Sequence, residues 1–415
     1  MKSTLFSTNE SDYQYSQEVS LNPATDGQTL QEPMNLRVTV YNDLDTLPEY
    51  YDSFFKKVAI KDFFSSRDWF KNIINTTLNT NTELFLYGIE EYTHTPTPKV
   101  LLITTRAVQN RNGAKINGWW LPNSSIAGLT NFQCYSHTYL YPENTDNLDE
   151  ITSELVNHLK KEKRPVIDLN LFPKDSECKK TLNKHFNLAG MTALNYEYCS
   201  NWVETTEHTN YEKYLANRSK STRKGILRKR RRLEENHDVK IEILSKENDA
   251  ERAISLFNEV YSASWKEPEY FQDFTPGLIR TCAKNGTLRL GVLYIDEQAA
   301  SVEFSITANR KTTFAKSAYN TKFSEHSASS ILLLHMIEHS LEMEKSKLLS
   351  FGLFDDDYKK SWCKDRRLIE GIVIFNTSTL RGCIGLICYK IINFKNSQLE
   401  KIKPRIRFML KKFTH

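Results

Sequence analysis

The sequence predicts an α/β protein, and three observations support that prediction. Segments with helical spacing of apolar residues alternate along the chain with short apolar runs rich in β-branched residues. Of the 415 residues, 39% are hydrophobic and 12% aromatic, which is enough for well-packed cores. At roughly 150 residues per domain, this length corresponds to about two domains.

The first cycle of elements follows a polar N-terminal segment. Residues 1–35 are rich in Ser, Thr, Asn, Gln and Glu and have little apolar periodicity, so we expect them to be disordered. Folded structure is expected from LRVTVYNDL onwards. The predicted elements are then helices at EYYDSFFKKV and RDWFKNIINTTL, strands at ELFLYGIEE and KVLLITTRAV, a helix at EITSELVNHLKKEK and a strand at PVIDLNLF.

A second cycle begins with a helix at DAERAISLFNEVYSASW. LRLGVLYID and AASVEFSITA are predicted to form a strand hairpin around Glu297 and Gln298, and KTTFAKSAYN a further strand. SASSILLLHMIEHSLEMEKS places Leu333, Ile337 and Leu341 on one helical face, and LLSFGLF has the composition of a short buried strand. The predicted divisions are a tail (1–35), a first lobe (36–205), a second lobe (206–380) and a basic amphipathic C-terminal tail (381–415).

Composition also limits the compartment and the cofactors. The seven cysteines are scattered and never arranged as C-x-x-C, which argues against a disulfide framework and against a zinc site. No apolar stretch approaches the roughly 18 residues that cross a bilayer, and the opening MKSTLFSTNESDYQYSQE lacks the apolar centre of a signal peptide. We therefore expect a cytoplasmic protein with reduced cysteines and no metal.

The net charge of +5 conceals one strongly basic segment. Residues 218–232, RSKSTRKGILRKRRR, hold nine cations and no acid, so the rest of the chain sums to 5 − 9 = −4. Ile226, Leu227 and Leu233 lie at helical spacing after candidate caps, which fits an amphipathic surface helix. The same cations could bind an anionic ligand or nucleic acid, although no nucleic-acid recognition motif accompanies them.

Small residues precede the last long helix. Ser327, Ala328, Ser329 and Ser330 open it, so its first amides and the positive end of its dipole meet whatever lies outside. A pyrophosphate would fit such a site, with additional donors from the side chains of two nearby residues, Lys322 and His326. Alternatively, the serines only cap the helix.

Several motifs of the second half occur together in one known family. They are RKRRRL (228–233), the Ser264-Trp265 pair, Asp296 with Ala299 and Ala300, Tyr319 with Phe323, SASSIL (327–332) and SFGLFDDDYKKSW (350–362). In these motifs the chain resembles the GNAT-fold N-acyltransferases of the CelD type, relatives of the Fem peptidoglycan aminoacyltransferases. FFSSRDWF and LTNFQCYSHTYL in the first half match more loosely. Ser329 and Phe354 stand where the family has glycine, and Ser350 where it has aspartate.

The resemblance implies a fold of tandem GNAT-like lobes, each a mixed twisted sheet flanked by helices. The acyl thioester would lie between the separated strands KTTFAKSAYN and LLSFGLF, with the pyrophosphate of acyl-CoA on the following helix. The implied cofactor-binding residues are Lys322, His326, Ser327, Ala328, Ser329 and Ser330. The implied catalytic candidates are Glu303, Tyr319, Asp355, Tyr358 and Lys359.

The catalytic candidates also have structural alternatives. Glu303 lies in the alternating run SVEFSIT, so its side chain points either into a cleft or to solvent. Asp355 and Lys359 are four residues apart and could form an ordinary helical ion pair. Tyr358 and Trp362 have the same spacing and could pack together as a helical pair.

Three functions follow from the resemblance. The first is transfer of an acyl group, with acetyl expected, from acyl-CoA to an amine or hydroxyl of a small molecule or glycan, such as a sugar of an envelope or exopolysaccharide precursor. The second is Fem-like transfer from aminoacyl-tRNA, in which the cations of 218–232 would bind phosphates. The third is a catalytically inactive GNAT-fold binding protein.

The C-terminal tail carries a further prediction. From Tyr389 onwards lysines and arginines surround apolar residues near helical spacing, namely Ile402, Ile406, Leu410 and Phe413. Such a segment either docks on the protein's own surface or lies weakly on an anionic membrane, which would put the chain at the inner face of that membrane.

Overall fold

The computed structural model describes residues 34–79, 82–107, 114–116, 119–121, 124–129 and 135–394. Most of the predicted N-terminal tail and the apolar positions from Ile402 to Phe413 lie outside the described residues. The described residues from Asn35 onwards form a single compact unit.

The helices form where the sequence combines an apolar stripe with a residue that can cap the helix N-terminus. α2 begins after Ser66, whose Oγ accepts a hydrogen bond from the Trp69 amide at 3.2 Å, and it buries Trp69, Phe70 and Ile73. The helices are α1 (Tyr50–Lys61), α2 (Arg67–Thr77), α3 (Leu148–Lys161), α4 (Glu177–Leu188), α5 (Tyr211–Ala216), α6 (Lys220–Asn236), α7 (Ala250–Ser262), α8 (Phe274–Lys284), α9 (Ala328–Glu342), α10 (Lys359–Trp362) and α11 (380–394).

The strands are rich in β-branched and aromatic residues, as their propensities favour. They are β1 (Leu36–Tyr41), β2 (Thr82–Tyr92), β3 (Pro96–Ala107), β4 (Ala114–Ile116), β5 (Trp119–Leu121), β6 (Ile126–Gly128), β7 (Tyr139–Leu140), β8 (Val166–Pro173), β9 (Thr192–Thr205), β10 (Val239–Leu244), β11 (Leu288–Ile295), β12 (Gln298–Ala308), β13 (Lys311–Tyr319), β14 (Leu348–Leu353) and β15 (Asp365–Phe375). All except β4 and β5 join one mixed sheet.

The strand order of this sheet is nearly symmetric about its centre. It runs β1-β2-β3-β6-β8-β15-β9-β14-β13-β12-β11-β10, with β7 beside β3. On each side of the central β15–β9 pair, one parallel pairing, β6–β8 or β13–β14, interrupts an otherwise antiparallel order. β9 is the last strand of the first half of the chain and pairs with β14, whereas β15 from the end of the chain pairs with β8. The two halves thus exchange their last strands.

The predicted α/β class and the mixed sheet flanked by helices are confirmed, including every strand and helix named from the sequence. The hairpin turn lies one residue earlier than predicted, at Asp296 and Glu297. Their φ angles of 49° and 65° are those of a two-residue turn between twisted strands. The sequence prediction omitted α4, α5, α8, β9, β10, β15 and the short strands β4 to β7, and both strands at the centre of the sheet are among these omissions.

Helices of the two halves pack directly against each other. Trp69 of α2 and Phe274 of α8 are both buried, with ring centroids 5.8 Å apart. The Asn72 side chain donates to the Phe274 carbonyl at 3.2 Å. A Cβ atom at Gly277 would lie 2.2 Å from the Asn72 Oδ1, so only glycine permits this approach. The core is therefore continuous between the halves.

Candidate functional site

The two strands of the β13–β14 pair separate partway along their length. Only Lys311, Thr312 and Thr313 pair in parallel with β14, the last opposite Ser350, although β13 continues to Tyr319. A bulge in the neighbouring β12–β13 pairing, between Phe304 and Ser305, bends β13 at the same level. A cavity of about 610 Å³ opens between the strands, lined by residues 314–319 and 351–353. The separation predicted for these strands is therefore observed.

Glu303 lies in this cavity. It is on β12, opposite Ser317 of β13, and the residue is only 4% exposed. No other residue in the described part of the chain forms a hydrogen bond or ion pair with its carboxylate. Burial raises the pKa of Glu303 to about 8, and the nearby Lys266 partly opposes that rise. Of the two orientations open from the sequence, the carboxyl takes the one that faces the cavity.

Three further charged side chains line the same cavity and were missed by the sequence analysis. Lys266 Nζ donates to the Ser317 carbonyl at 2.6 Å, and burial lowers the pKa of Lys266. Lys316 forms an ion pair with Glu269, whose other oxygen accepts from the Thr275 hydroxyl at 2.7 Å. The only signal in the sequence was the polar run that follows Trp265, and it does not predict which strand these side chains reach.

Tyr358 and Lys359 both line the cavity but differ in exposure and in their contacts. Tyr358 is half exposed, yet desolvation of its hydroxyl and the nearby Glu303 and Asp356 carboxylates raise its pKa well above 10. Lys359 is buried, and its Nζ donates to the carbonyl of Leu353 at 2.6 Å and forms an ion pair with Asp356 at 2.8 Å. Lys359 thus fixes the end of β14 while Tyr358 faces the open space.

Asp355 has partners outside the cavity. Arg366 donates to both of its oxygens, at 2.8 and 2.6 Å, and Ser200 and Trp202 donate at 2.7 and 2.8 Å. The Arg366 guanidinium, with these two donors, holds the pKa of Asp355 well below its usual range. The ion pair considered from the sequence is replaced, since Lys359 contacts the adjacent acid. A direct catalytic role for Asp355 stays a prediction.

The start of α9 forms one end of the cavity, where Ser329 and Ser330 are lining residues, as is Tyr319 on β13. Ser327 has a φ of 56°, and its side chain makes no capping hydrogen bond to the helix. Ala328 is buried. The Ser330 amide donates to the Ser327 carbonyl at 3.0 Å, whereas the amides before it precede the regular helical hydrogen bonds, so this end of the cavity is suited to an anion.

Lys322 and His326 lie beside this helix start, outside the residues that line the cavity. Lys322 Nζ donates to the Gln298 side chain at 2.7 Å, and the His326 ring packs edge-on against His237. That Lys322 and His326 contact a cofactor stays a prediction. The roles assigned to Tyr319 and the other site residues stay predictions too.

The basic segment forms α6, the amphipathic surface helix expected from its spacing. Ile226 and Leu233 are buried, and the Ser219 Oγ accepts from the Thr222 amide at 3.1 Å. In the described residues, Arg230 and Arg231 have ion pairs with acids one turn later, whereas no ion pair involves Lys220, Lys224, Arg228, Lys229 or Arg232. The helix therefore presents a cationic face to solvent.

Three further observations apply to the described residues only. No group of three or more His, Cys, Asp or Glu side chains there is arranged to hold a metal ion. Every cysteine in that part is free. None of its helices is both long and apolar enough to span a membrane.

Comparison with known proteins finds one family model that matches part of the chain. Residues 220–360 match the profile of a protein family described as "Acetyltransferase (GNAT) domain". No curated protein sequence matches the chain. The resemblance to CelD-type members within that family stays a prediction.

Solved structures with similar folds share little sequence with this chain. FemX superposes with a TM-score of 0.51 at 10% identity, covering 82% of this chain and 98% of that one. A conserved protein of unknown function from Bacteroides thetaiotaomicron VPI-5482 gives 0.48 at 10%, covering 82% and 100%. A tandem GNAT protein from the clavulanic acid biosynthesis pathway gives 0.42 at 9%, covering 81% and 98%. The likeness to FemX indicates a shared fold, and residues 220–360 resemble an acetyltransferase domain of the GNAT type.

Proposed function

We propose that this chain transfers an acyl group from acyl-CoA, with acetyl expected, to an amine or hydroxyl acceptor. The observation that supports this most is a buried carboxyl group, Glu303, facing a cavity between two separated parallel strands. The family profile over residues 220–360 supports the same reaction class. The acceptor class, a sugar of an envelope or exopolysaccharide precursor, rests on the CelD-type resemblance.

The residues around the cavity fit acyl-CoA. Beyond Thr313 and Ser350 the facing edges of β13 and β14 no longer pair with each other, so backbone groups there can bond the amides of a pantetheine arm. Ser329 and Ser330 at the α9 start suit the pyrophosphate, because their side chains are small and the helix dipole attracts anions. The thioester end would then lie near Glu303 and Tyr358.

Glu303 and Tyr358 can supply the two proton transfers of the reaction. The Glu303 carboxylate removes a proton from the acceptor as its nitrogen or oxygen forms a bond to the thioester carbonyl carbon. The carbon–sulfur bond then breaks, and the leaving thiolate takes a proton from the Tyr358 hydroxyl. Tyr358 regains a proton from solvent and Glu303 releases one, so the net transfer is of the acceptor's proton to the thiol. The positive charge of Lys266 lowers the pKa of the Glu303 carboxyl and so partly offsets the rise caused by burial.

The test is calorimetric titration of acetyl-CoA into the full chain, followed by thiol release with a panel of amino sugars and simple amines. We expect binding by the wild type and acceptor-dependent release of CoA thiol. Absence of acetyl-CoA binding would overturn the proposal. Binding without turnover on any acceptor would favour the inactive binding protein.

Transfer from aminoacyl-tRNA is the second candidate, because α6 carries cations without ion pairs in the described chain, such as Lys224 and Arg228. Lysines and arginines that neutralise phosphates give strongly salt-dependent binding. Retention of tRNA by the full chain at physiological salt, with no acetyl-CoA binding, would favour this candidate.

The organisation and location of the chain belong to the same proposal. The first lobe (36–205) and the second lobe (206–380) are proposed as two GNAT-like units that exchange their last strands, β9 and β15. We propose a cytoplasmic location at the inner face of a membrane.

A further inference from the structure

α11 packs one face closely against the sheet. Tyr389 is buried against Phe375 of β15, with ring centroids 5.3 Å apart. A Cβ atom at Gly385 would lie 3.2 Å from Val166 Cγ2, and one at Gly382 would lie 2.1 Å from the Asn376 carbonyl oxygen. The two glycines let the helix backbone approach the protein closely, while Tyr389 and the partly buried Leu386 pack on this inner face.

Four other large apolar side chains of α11 face outward. Leu380, Ile384, Ile387 and Ile391 are 78%, 51%, 57% and 49% exposed. Their spacing of four, three and four residues puts them on one face, over a length of about 16 Å at 1.5 Å per residue. No other part of the described chain covers them. A docked surface helix usually presents polar residues to solvent, so this second, outer apolar stripe departs from the usual amphipathic arrangement.

The charge around this stripe has one sign. Residues 376–394 contain Arg381 and Lys390 and no acid. From 381 to 415 there are nine lysines and arginines against one acid, Glu400, which gives 9 − 1 = +8, while the rest of the chain sums to 5 − 8 = −3. A second copy of the chain docked on this stripe would bring two such segments together. An anionic surface matches both the apolar residues and the charge.

We infer that the outer face of α11 binds the surface of an anionic lipid bilayer, with its four apolar side chains in the interfacial region. The helix lies on the membrane and does not cross it, because its inner face is docked on the protein. This inference deepens the location given under the proposed function. It does not depend on the acyl transfer reaction, which takes place in a separate cavity.

The experiment is co-sedimentation of the full chain with phosphatidylcholine vesicles, with and without phosphatidylglycerol. The variant Ile384→Ser/Ile387→Ser removes the centre of the stripe. The matched control, Ile60→Ser/Leu188→Ser, removes two apolar residues that are 69% and 73% exposed on other helices. We expect wild type and control to bind the anionic vesicles and the stripe variant to bind at least about tenfold more weakly, since each buried methylene contributes to partitioning.

Charge and fold are checked alongside. Arg381→Gln/Lys390→Gln should weaken binding to anionic vesicles, and added salt should weaken it in every form. Equal vesicle binding by the stripe variant and the control would overturn the inference. The inference would also be overturned if the wild type and the control were dimers and the stripe variant a monomer. It would be overturned as well if the wild type bound no vesicles and the stripe variant had a lowered melting temperature. Acetyl transfer to a soluble acceptor tests the proposed function separately and should be the same in the stripe variant and wild type.

Discussion

Replacement of Glu303 by glutamine separates catalysis from stability. The amide has nearly the same shape as the carboxyl group but cannot accept the acceptor's proton, so kcat should fall by about 10² to 10⁴. Acetyl-CoA affinity should be unchanged, because the proposed pyrophosphate and pantetheine contacts lie on α9, β13 and β14. Glu259→Gln, at an exposed position of α7, is the matched control.

The same replacement should stabilise the protein relative to wild type at neutral and basic pH. Burial raises the pKa of Glu303 from the ordinary 4.5 to about 8, and one decade of proton affinity is worth 1.36 kcal/mol. The ionised carboxylate therefore destabilises the folded state by at most about 5 kcal/mol. Between pH 4.5 and 8 the folded state keeps a proton that the unfolded chain has lost, so wild-type stability from this group falls as pH rises. Glutamine removes that loss.

The two effects are measured by pH–rate profiles and by thermal melts at several pH values. Wild-type kcat/KM should rise with pH and reach half of its plateau near pH 8, where half of Glu303 is ionised. The melting temperature of Glu303→Gln relative to wild type should increase from pH 5 to pH 8, and the control should show no such trend. Full activity in Glu303→Gln would refute the base assignment. A relative melting temperature independent of pH would refute the buried carboxylate.

Three other substitutions test the remaining parts of the site. Ser329→Glu puts a carboxylate at the α9 start and should weaken acetyl-CoA binding at least about tenfold in calorimetry, whereas Ser221→Glu in the first turn of α6 should not; equal affinities would move the pyrophosphate elsewhere. Tyr358→Phe removes the proton donor and should lower kcat about 10²-fold with little change in KM, so an unchanged kcat in steady-state assays would exclude that role. Lys266→Met removes a cation that lowers the pKa of Glu303, so the rise in kcat/KM should move to higher pH, and a move to lower pH would contradict the electrostatic argument.

The local part of the fold could be predicted from the sequence. α9, β13 and β14 follow from apolar periodicity, because a stripe at helical spacing or a short β-branched run is a property of neighbouring residues. The site positions within 327–330 and 350–362 were found through family motifs whose spacing the chain keeps without gaps. Glu303 was found as an acid within an alternating apolar strand.

The long-range part could not be predicted in the same way. β9 and β15 pair across the centre of the sheet although their sequences are about 170 residues apart, and no local pattern specifies such a partner. Lys316 occupies an ordinary position in the alternating pattern of β13. Its ion pair with Glu269 depends on how the segment after α7 folds back onto that strand. Buried charge pairs of this kind are determined by tertiary packing and not by residue spacing.

The departures from the family motifs leave this geometry intact, which favours an active transferase over an inactive binding protein. Ser329 keeps a small side chain at the cavity, and Ser350 is buried within the paired part of β14. Phe354 has a φ of 71°, which for a residue other than glycine costs roughly 1 to 2 kcal/mol. Its amide donates to the Ser200 carbonyl at 2.8 Å and its carbonyl accepts from Lys359 at 3.2 Å, so two hydrogen bonds hold the turn that glycine would otherwise permit. Its ring is nearly half exposed and is not among the residues that line the cavity, so it leaves the space beside Glu303 open.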